Sequence, residues 1–198
     1  MPPVQALPAM LGVALWRVNL DEPFDDALRA DLEPQELARA ARFVFERDSR
    51  RYLNGRHALR GLLAHRLNTP ARQLRMAANA YGKPELTSHT GFAFNVSHSQ
   101  GQGVIALLAL PNDGWQAVGV DIEVGPAPVD AAELARSAFD AADARALADI
   151  ADPAAHSAAF WRGWTRREAA LKAIGTGFGR DDVRLITTLD DAPVRVDA

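Results

Sequence analysis

Apolar and polar residues alternate in the segment VGVDIEVG, residues 118–125, and this alternation predicts a strand. Successive side chains of a strand point to opposite faces, so Asp121 and Glu123 would stand side by side on one face and the valines and isoleucine on the other. Like charges at this spacing repel each other unless water solvates them or a cation lies between them. An edge strand with a solvated face is the simpler interpretation of this segment, and a metal site is the other.

Two long stretches of the chain carry apolar residues at helical spacing. The first opens at Pro34 and continues to about residue 67, with a break expected at Asn54 and Gly55. Proline in the first turn and the Asn-Thr-Pro sequence after the last apolar residue are typical start and stop signals. The second stretch covers residues 155–174, and the glycines that follow predict its end. We therefore expect a long helix in each half of the chain.

Shorter patterns between these helices predict strands, a turn and further helix. Residues 92–110 contain two apolar runs separated by a glycine-containing segment, which predicts a pair of strands. The apolar stretch at residues 9–16 is interpreted as one buried strand, and the sequence YGKPEL at residues 81–86 as a turn. The segment 126–153 is rich in alanine and aspartate and predicts helix around residues 131–150. A short strand-like tail closes the chain.

The composition is that of a folded protein with a buried core. The chain has 198 residues, of which 48% are apolar and 24% charged. It contains no cysteine, which excludes disulfides, thiolate catalysis and cysteine-ligated zinc and is compatible with a reducing compartment. The apolar run at residues 9–16 is too short to span a bilayer and has no basic residues before it. We expect a cytoplasmic protein without a membrane segment.

Basic residues are concentrated in one part of the chain. Residues 39–83 hold ten arginines and one lysine but only two acidic residues, Glu46 and Asp48, although the net charge of the whole chain is −3. Such a stripe is usually a solvated helix face or an anion-binding surface. No aromatic interleaving or known nucleic-acid motif accompanies it, and we expect no nucleic acid partner. A small molecule that carries phosphate groups explains the stripe at least as well.

The second long helix places charged residues on the side that its apolar residues mark as buried. On a helical wheel Arg167 lies within the apolar stripe, Glu168 lies at its edge, and Lys172 lies directly beyond Glu168. A Glu and a Lys four residues apart most often form a surface salt bridge. That interpretation does not explain why charges face the interior, where an unpaired charge is costly. A third carboxylate beside Asp121 and Glu123 would complete a ligand set of oxygen atoms.

Such a ligand set suits magnesium, a hard ion that retains water and is commonly shared with substrate phosphates. Zinc is less compatible, because the five histidines show no zinc-binding spacing.

The segment FNVSHS, residues 94–99, is a polar cluster in an apolar context. Ser97 or Ser99 with His98 is one candidate pair of nucleophile and base, but adjacent residues on a strand point apart and no nucleophile elbow is present. Donation of hydrogen bonds to a phosphate or an amide is the better functional interpretation. A simple turn cap is the structural alternative.

Four motifs, in this order and at these separations, resemble a known family. They are YGKP at 81–84, FNVSHS at 94–99, GVDIE at 119–123 and WTRREAALK at 164–172, and the segment 43–60 is also similar to that family. The family is that of the 4′-phosphopantetheinyl transferases, in its larger class, whose members are built from two lobes. These enzymes move phosphopantetheine from coenzyme A to a serine of an acyl or peptidyl carrier protein and release adenosine 3′,5′-bisphosphate.

The resemblance implies an α+β fold in which two similar α/β lobes form a pseudo-dimer. Residues 1–112 would form the N-terminal lobe and residues 113–198 the C-terminal lobe, with coenzyme A in the cleft between them. A faint similarity between residues 56–63 and 168–175 agrees with such a duplication. The partner would be the carrier protein, and we expect a monomer because an internal pseudo-dimer has less need of a second copy.

The resemblance also implies roles for individual residues. Mg²⁺ would be held by Asp121, Glu123 and Glu168. Glu168 would also take the proton of the carrier serine, and Lys172 would bind the phosphate region. The positions that match contacts to coenzyme A, chiefly to its phosphates, are Arg47, Lys83, Ser97, His98 and Lys172. One departure is Arg167, where the family usually has lysine, so that a planar fork replaces a point donor.

Two other functions remain open on the sequence. One is a relative that binds coenzyme A or a carrier protein without catalysing transfer, and the complete acidic trio argues against it. The other is a serine hydrolase that uses Ser97 and His98. A hydrolase of this kind would be insensitive to EDTA, whereas a metal-dependent transferase would not.

Overall fold

The structure is a computed structural model of the 198-residue chain. It describes residues 4–79, 82–87, 91–110, 117–126 and 130–175. Across these ranges no helix combines the length and the apolar character that a membrane crossing requires.

Strands and helices are both well represented in the described residues. The strands are β1 (Val4–Met10), β2 (Val13–Asn19), β3 (Met76–Ala78), β4 (Pro84–Leu86), β5 (Phe92–Ser99) and β6 (Gln102–Ala109). The α-helices are α1 (Pro34–Ala40), α2 (Glu46–Leu67), α3 (Ala131–Ala138), α4 (Ala141–Ala148) and α5 (Pro153–Ile174). Short 3₁₀ helices at Asp26–Asp31 and Ala71–Gln73 precede α1 and follow α2.

Four strands form an antiparallel sheet in the order β1-β2-β6-β5, and β3 pairs separately with β4. The β5-β6 hairpin confirms the prediction for residues 92–110. The prediction of one buried strand at residues 9–16 is wrong, because the chain reverses at Leu11 and Gly12, which both have positive φ. The apolar run is thereby divided between β1 and β2. Part of the turn predicted at residues 81–86 is likewise strand β4.

Helix α2 packs its apolar side against one face of the sheet. The residues buried there are Ala58, Leu59 and Leu63 of α2 and Val18, Phe94, Ile105 and Leu107 of the sheet. Burial of each large aliphatic side chain contributes roughly 1.5–3 kcal/mol, so this layer is a main source of stability. On the other face, Ala106 and Leu108 of β6 pack against Val118. The acidic segment is therefore anchored on the sheet by its first apolar residue.

Helix α2 is continuous at Asn54 and Gly55, contrary to the prediction. The buried side chain of Asn54 donates to the carbonyl groups of Leu20 (3.0 Å) and Glu22 (2.8 Å). Leu20 packs over Gly55, with its Cδ2 3.6 Å from the place where a β-carbon would lie. These two residues therefore dock the loop after β2 instead of breaking the helix. The interruption lies between α1 and α2, at residues 41–45.

Helices α3, α4 and α5 pack on one another around Phe160. The helix predicted at residues 131–150 is divided, because Asp140 accepts hydrogen bonds from two backbone N–H groups and thereby caps α4. Helix α5 lies close to its predicted limits and ends at Gly175 in the left-handed conformation, with φ of 80°. This small helical layer holds α5, the helix that carries the predicted catalytic residues.

The described residues form a mixed α/β fold, as predicted. Residues 111–116, at the predicted boundary between lobes, lie outside the described residues, and so does the strand-like tail expected at the end of the chain. The division into residues 1–112 and 113–198, and the similarity of the two lobes, stay predictions.

Candidate active site

The acidic segment, residues 117–124, lies beside β5 but is not a regular strand, contrary to the prediction. Side chains of β5 bind it. Asn95 Oδ1 accepts a hydrogen bond from the backbone N–H of Val120 (3.0 Å), and Ser97 Oγ donates one to Asp121 Oδ1 (2.6 Å). Polar side chains of β5 thus hold the segment in place, whereas a regular strand would be held by hydrogen bonds between backbones.

Glu123 is bound in the same way two residues further along. Ser99 Oγ donates to Glu123 Oε2 (2.8 Å) and accepts from the backbone N–H of Val124 (3.2 Å). Because Ser97 and Ser99 are two residues apart on a strand, their side chains lie on the same face of β5. Asp121 and Glu123 therefore lie on one side of the segment, as the alternation in the sequence predicts, and that side faces β5.

The acidic segment touches the backbone of α5 at Gly119. A β-carbon at this position would lie 1.8 Å from the carbonyl oxygen of Ala169 and 2.6 Å from the amide nitrogen of Ala173. Only glycine allows such a close approach of two backbones. Directly after the segment, Trp161 Nε1 donates to the carbonyl oxygen of Gly125 (2.8 Å). These two contacts fix the acids against α5.

Lys172 reaches from α5 to the acidic segment. Its Nζ donates to Asp121 Oδ1 (2.5 Å) and to Ser97 Oγ (2.9 Å). Only 4% of the Asp121 side chain is exposed, so the ammonium group and the hydroxyl compensate a nearly buried carboxylate. The salt bridge of Lys172 is therefore with Asp121, and not with Glu168 one turn away on its own helix.

Glu168 is buried next to this pair, with 8% of its surface exposed. Its Oε1 atom makes no hydrogen bond, although Arg167 Nη1 lies 3.7 Å from it, and Oδ2 of Asp121 makes none either. Burial raises the pKa of Glu168, and the charge of Asp121 raises it further, whereas Arg167 and Lys172 lower it. Buried polar atoms without a partner are rare in folded proteins. Two such oxygens in one acidic cluster indicate a place for a cation or a hydrogen-bond donor.

Asp121 and Glu168 provide hard oxygen donors, the kind that Mg²⁺ prefers. In the part of the chain that the structure describes, no group of three or more acidic or histidine side chains is arranged as a ready metal site. The oxygens of Asp121 and Glu168 that make no hydrogen bond nevertheless leave donors of this kind available. Glu123, which is more exposed and bonded to Ser99, is the third candidate ligand.

His98 and Arg47 lie apart from the acidic cluster. His98 is exposed, and strand alternation puts it on the opposite face of β5 from Ser97. Because Ser97 is bonded within the cluster, these two residues do not form the nucleophile and base of a hydrolase. Arg47 is also exposed and pairs with its neighbour Asp48 (3.0 Å).

Lys83 lies at the C-terminal end of α5. Its Nζ donates to the carbonyl oxygen of Ala173 (3.2 Å). Burial lowers the pKa of Lys83, and the carboxylate of Glu85 opposes this effect. Lys83 therefore contacts the helix that carries Glu168 and Lys172, at a point beyond both of them.

Part of the basic stripe at residues 39–83 is a buried ionic network. Arg60 is fully buried and binds the carboxylates of Glu33 (2.5 Å) and Glu36 (2.7 Å). Arg56 also pairs with Glu36. These arginines join α1 to α2, so the charge that suggested an anion-binding surface is in part neutralised inside the fold.

Gly119, Asn95 and Trp161 hold the cluster together, and sequence reasoning missed all three. The available signals were a glycine directly before the acidic alternation and an asparagine inside an otherwise apolar strand. Neither signal reveals what the residue contacts, because Gly119 packs on the backbone of α5 and Asn95 binds the backbone of the acidic segment.

Family models match both parts of the chain. The model described as 4′-phosphopantetheinyl transferase, N-terminal, matches residues 15–109, and the model of the 4′-phosphopantetheinyl transferase superfamily matches residues 117–196. The second match contains the acidic segment and the whole of α5.

Curated proteins of the same kind are similar over most of this chain. The 4′-phosphopantetheinyl transferase HetI of Nostoc sp. is 35% identical over 85% of this chain and 70% of its own length. A putative 4′-phosphopantetheinyl transferase of Synechocystis sp. is 32% identical over 82% of this chain and 65% of its own. The human L-aminoadipate-semialdehyde dehydrogenase-phosphopantetheinyl transferase is 31% identical over 84% of this chain and 55% of its own length.

The chain thus spans between about half and about 70% of the length of these relatives. The similarity covers both the sheet that holds Ser97 and the helix that carries Glu168. The motifs that suggested the family in the sequence and the two family models agree with each other. This chain belongs to the 4′-phosphopantetheinyl transferase family.

Proposed function

We propose that this protein transfers the 4′-phosphopantetheine group of coenzyme A to a serine of an acyl or peptidyl carrier protein in a reaction that depends on Mg²⁺. The observation that carries the proposal is the buried pair of Asp121 and Glu168, each with one carboxylate oxygen that makes no hydrogen bond. The ammonium group of Lys172 beside them adds a cation that a phosphate group can bind. Family membership supports the same reaction.

Asp121, Glu123 and Glu168 are the residues that would hold the metal. Carboxylate oxygens suit Mg²⁺, and two such oxygens, one each from Asp121 and Glu168, are buried without a hydrogen bond. When bound, the ion neutralises negative charge on the diphosphate of coenzyme A.

Glu168 is suited to accept the proton of the carrier serine. Burial raises its pKa, so its carboxylate binds a proton more strongly than an exposed one does. The serine oxygen forms a bond to the phosphorus next to the pantetheine, and the bond from that phosphorus to the adenosine 3′,5′-bisphosphate breaks. The serine proton passes to Glu168. Positive charge on Lys172 stabilises the phosphate that leaves.

Contacts to the rest of coenzyme A are assigned by resemblance. Arg47 and His98 are exposed, which leaves them accessible to a ligand, and Ser97 lies within the acidic cluster. A monomer of two similar lobes, residues 1–112 and 113–198, would place the coenzyme between them. The long helices α2 and α5 are both 22 residues long, in keeping with such a duplication.

The direct test uses the whole protein with coenzyme A, an apo carrier protein and Mg²⁺. We expect the intact mass of the carrier to rise by one phosphopantetheine group, and the rise to disappear when EDTA replaces Mg²⁺. Apo carriers from fatty acid, polyketide and peptide synthesis should be tested in parallel, because the carrier class is not specified by the cluster. A protein that binds coenzyme A but leaves every carrier unmodified would be a non-catalytic relative.

A further inference from the structure

Asn79 and Lys83 are tied to each other in the connection between β3 and β4. The backbone N–H of Asn79 donates to the carbonyl of Lys83 (2.9 Å), and the backbone N–H of Lys83 donates to Asn79 Oδ1 (3.0 Å). Gly82 adds a bond from its N–H to the carbonyl of Asn79 (3.0 Å). These hydrogen bonds fix the backbone from which the Lys83 side chain extends.

The tied pair lies against the C-terminal end of α5. The last carbonyl groups of any helix lack partners within the helix and carry a partial negative charge. At this end, Gly175 donates its N–H to the carbonyl of Leu171 (2.9 Å), and Lys83 Nζ donates to the carbonyl of Ala173 (3.2 Å). Asn79 Nδ2 makes a longer contact of 3.5 Å to the carbonyl of Gly175. The pair therefore supplies donors where the helix needs them.

The position of this contact matters because of what α5 carries. Ala173 directly follows Lys172, whose ammonium group is bonded to Asp121. Glu168 lies on the preceding turns of the same helix. Gly119 of the acidic segment packs on the same backbone, next to the amide of Ala173. A shift of the last turn of α5 would therefore move Lys172 against the acids that it contacts.

Lys83 is also too confined to be an ordinary surface cation. Desolvation by burial lowers its pKa, and Glu85 is the charged group that opposes this effect. A partly buried ammonium group is costly unless it has a partner, and Lys83 Nζ finds one in the carbonyl of Ala173. The hydrogen bond and the burial both indicate that the ammonium group of Lys83 is bound to the C-terminal end of α5.

We propose that Lys83 is a positioning residue that clamps the last turn of α5 and thereby sets the place of Lys172 and Glu168 in the transfer reaction. This role differs from the contact to coenzyme A phosphate that the family resemblance implies for Lys83. The kinetic part of the inference rests on the proposed transferase function, whereas the structural part does not.

The test compares Lys83→Met with Lys83→Arg and with Arg75→Met. Methionine keeps the length of the side chain but cannot donate, and arginine keeps a charged donor. Arg75 is the control, because its Nη1 donates to the backbone carbonyl of Arg72 (2.8 Å) and lies 3.7 Å from Glu33 Oε1, and neither contact involves α5. Thermal unfolding of all three variants verifies that each is folded before the comparison.

The first measurement is amide hydrogen exchange in the last turn of α5, on the protein alone. Lys83→Met should exchange the amide of Gly175 about tenfold faster than the wild type, because a charge-assisted hydrogen bond at the helix end is lost. Lys83→Arg and Arg75→Met should exchange at the wild-type rate. An unchanged rate in Lys83→Met overturns the inference, whether or not the protein is a transferase.

The second measurement separates a positioning role from substrate binding. For Lys83→Met we expect kcat to fall about tenfold while the KM for coenzyme A changes by less than about threefold, with recovery of kcat in Lys83→Arg. A large rise in KM at unchanged kcat would assign Lys83 to coenzyme A and overturn the clamp. If the wild type transfers nothing, the proposed function fails, and hydrogen exchange alone decides on the clamp.

Discussion

The ammonium group of Lys172 lies 2.5 Å from Oδ1 of Asp121, across the gap between α5 and the acidic segment. This salt bridge joins two elements that are far apart in sequence and leaves Glu168, one turn away from Lys172, without that partner. The positive charge also lowers the attraction of Asp121 for any other cation. The ammonium group of Lys172 and a bound metal ion would therefore compete for Asp121.

Substitution of Lys172 by methionine should make binding of Mg²⁺ to the protein alone about tenfold tighter. The reason is that an ammonium group in direct contact with Asp121 repels a divalent cation at the same carboxylate. Isothermal titration with Mg²⁺ in the absence of coenzyme A measures the change, and Lys172→Arg, which keeps the charge, is the control. Weaker binding in Lys172→Met would show that the two cations do not compete at Asp121.

Substitution of Gly119 by alanine should separate the acidic segment from α5. The new methyl group would lie 1.8 Å from a backbone carbonyl oxygen, which no change of rotamer relieves. We expect a loss of about 2 kcal/mol or more in the free energy of unfolding, together with loss of transfer. Urea unfolding measures the first effect. Gly91→Ala is the matched control, because a β-carbon at Gly91 would meet nothing within 4 Å.

Substitution of Glu168 by glutamine should stabilise the protein at neutral pH in EDTA. Because the folded protein raises the pKa of Glu168 above its ordinary value of 4.5, the folded state holds this proton more tightly than the unfolded chain. The carboxylate therefore costs stability as the pH rises from about 4.5 through the folded pKa. Thermal unfolding should give a higher Tm for Glu168→Gln at pH 7 and an equal Tm near pH 4. An equal Tm at both values would show that burial does not disfavour the charge.

Substitution of Arg60 by methionine should destabilise the fold without altering the chemistry of the cluster. The change leaves Glu33 and part of Glu36 buried without their partner, a loss of about 3–5 kcal/mol in comparable buried pairs. Urea unfolding should show it, and the exposed Arg72→Met should be neutral. A neutral effect of Arg60→Met would mean that the two carboxylates find other partners or become protonated.

Local patterns were enough to predict the elements that depend on nearby residues. The limits of α5, the β5-β6 hairpin and the common side of Asp121 and Glu123 all follow from periodicity and from turn residues. The turn between β1 and β2 could not be found in this way, because Leu11 adopts positive φ, a conformation that its side chain disfavours.

Contacts between distant segments could not be predicted from the sequence, because local patterns do not show which residues the fold brings together. Asn54 looks like a helix breaker when its partners are unknown, but it docks the loop after β2 inside a continuous helix. Helical spacing offered a salt bridge of Lys172 with Glu168 as the common alternative, whereas burial of Asp121 makes the longer-range pair more favourable. Composition likewise could not reveal that Arg60 is enclosed within the fold.

The central claim is that Asp121 and Glu168 form the transfer centre, and single-turnover transfer to a carrier protein tests it most directly. The rates of Asp121→Asn and Glu168→Gln should be compared with that of Ser137→Ala, a change on the exposed side of α3. Both acidic variants should fall by at least about a hundredfold while remaining folded, and Ser137→Ala should match the wild type. Transfer at the wild-type rate in either acidic variant would contradict the account.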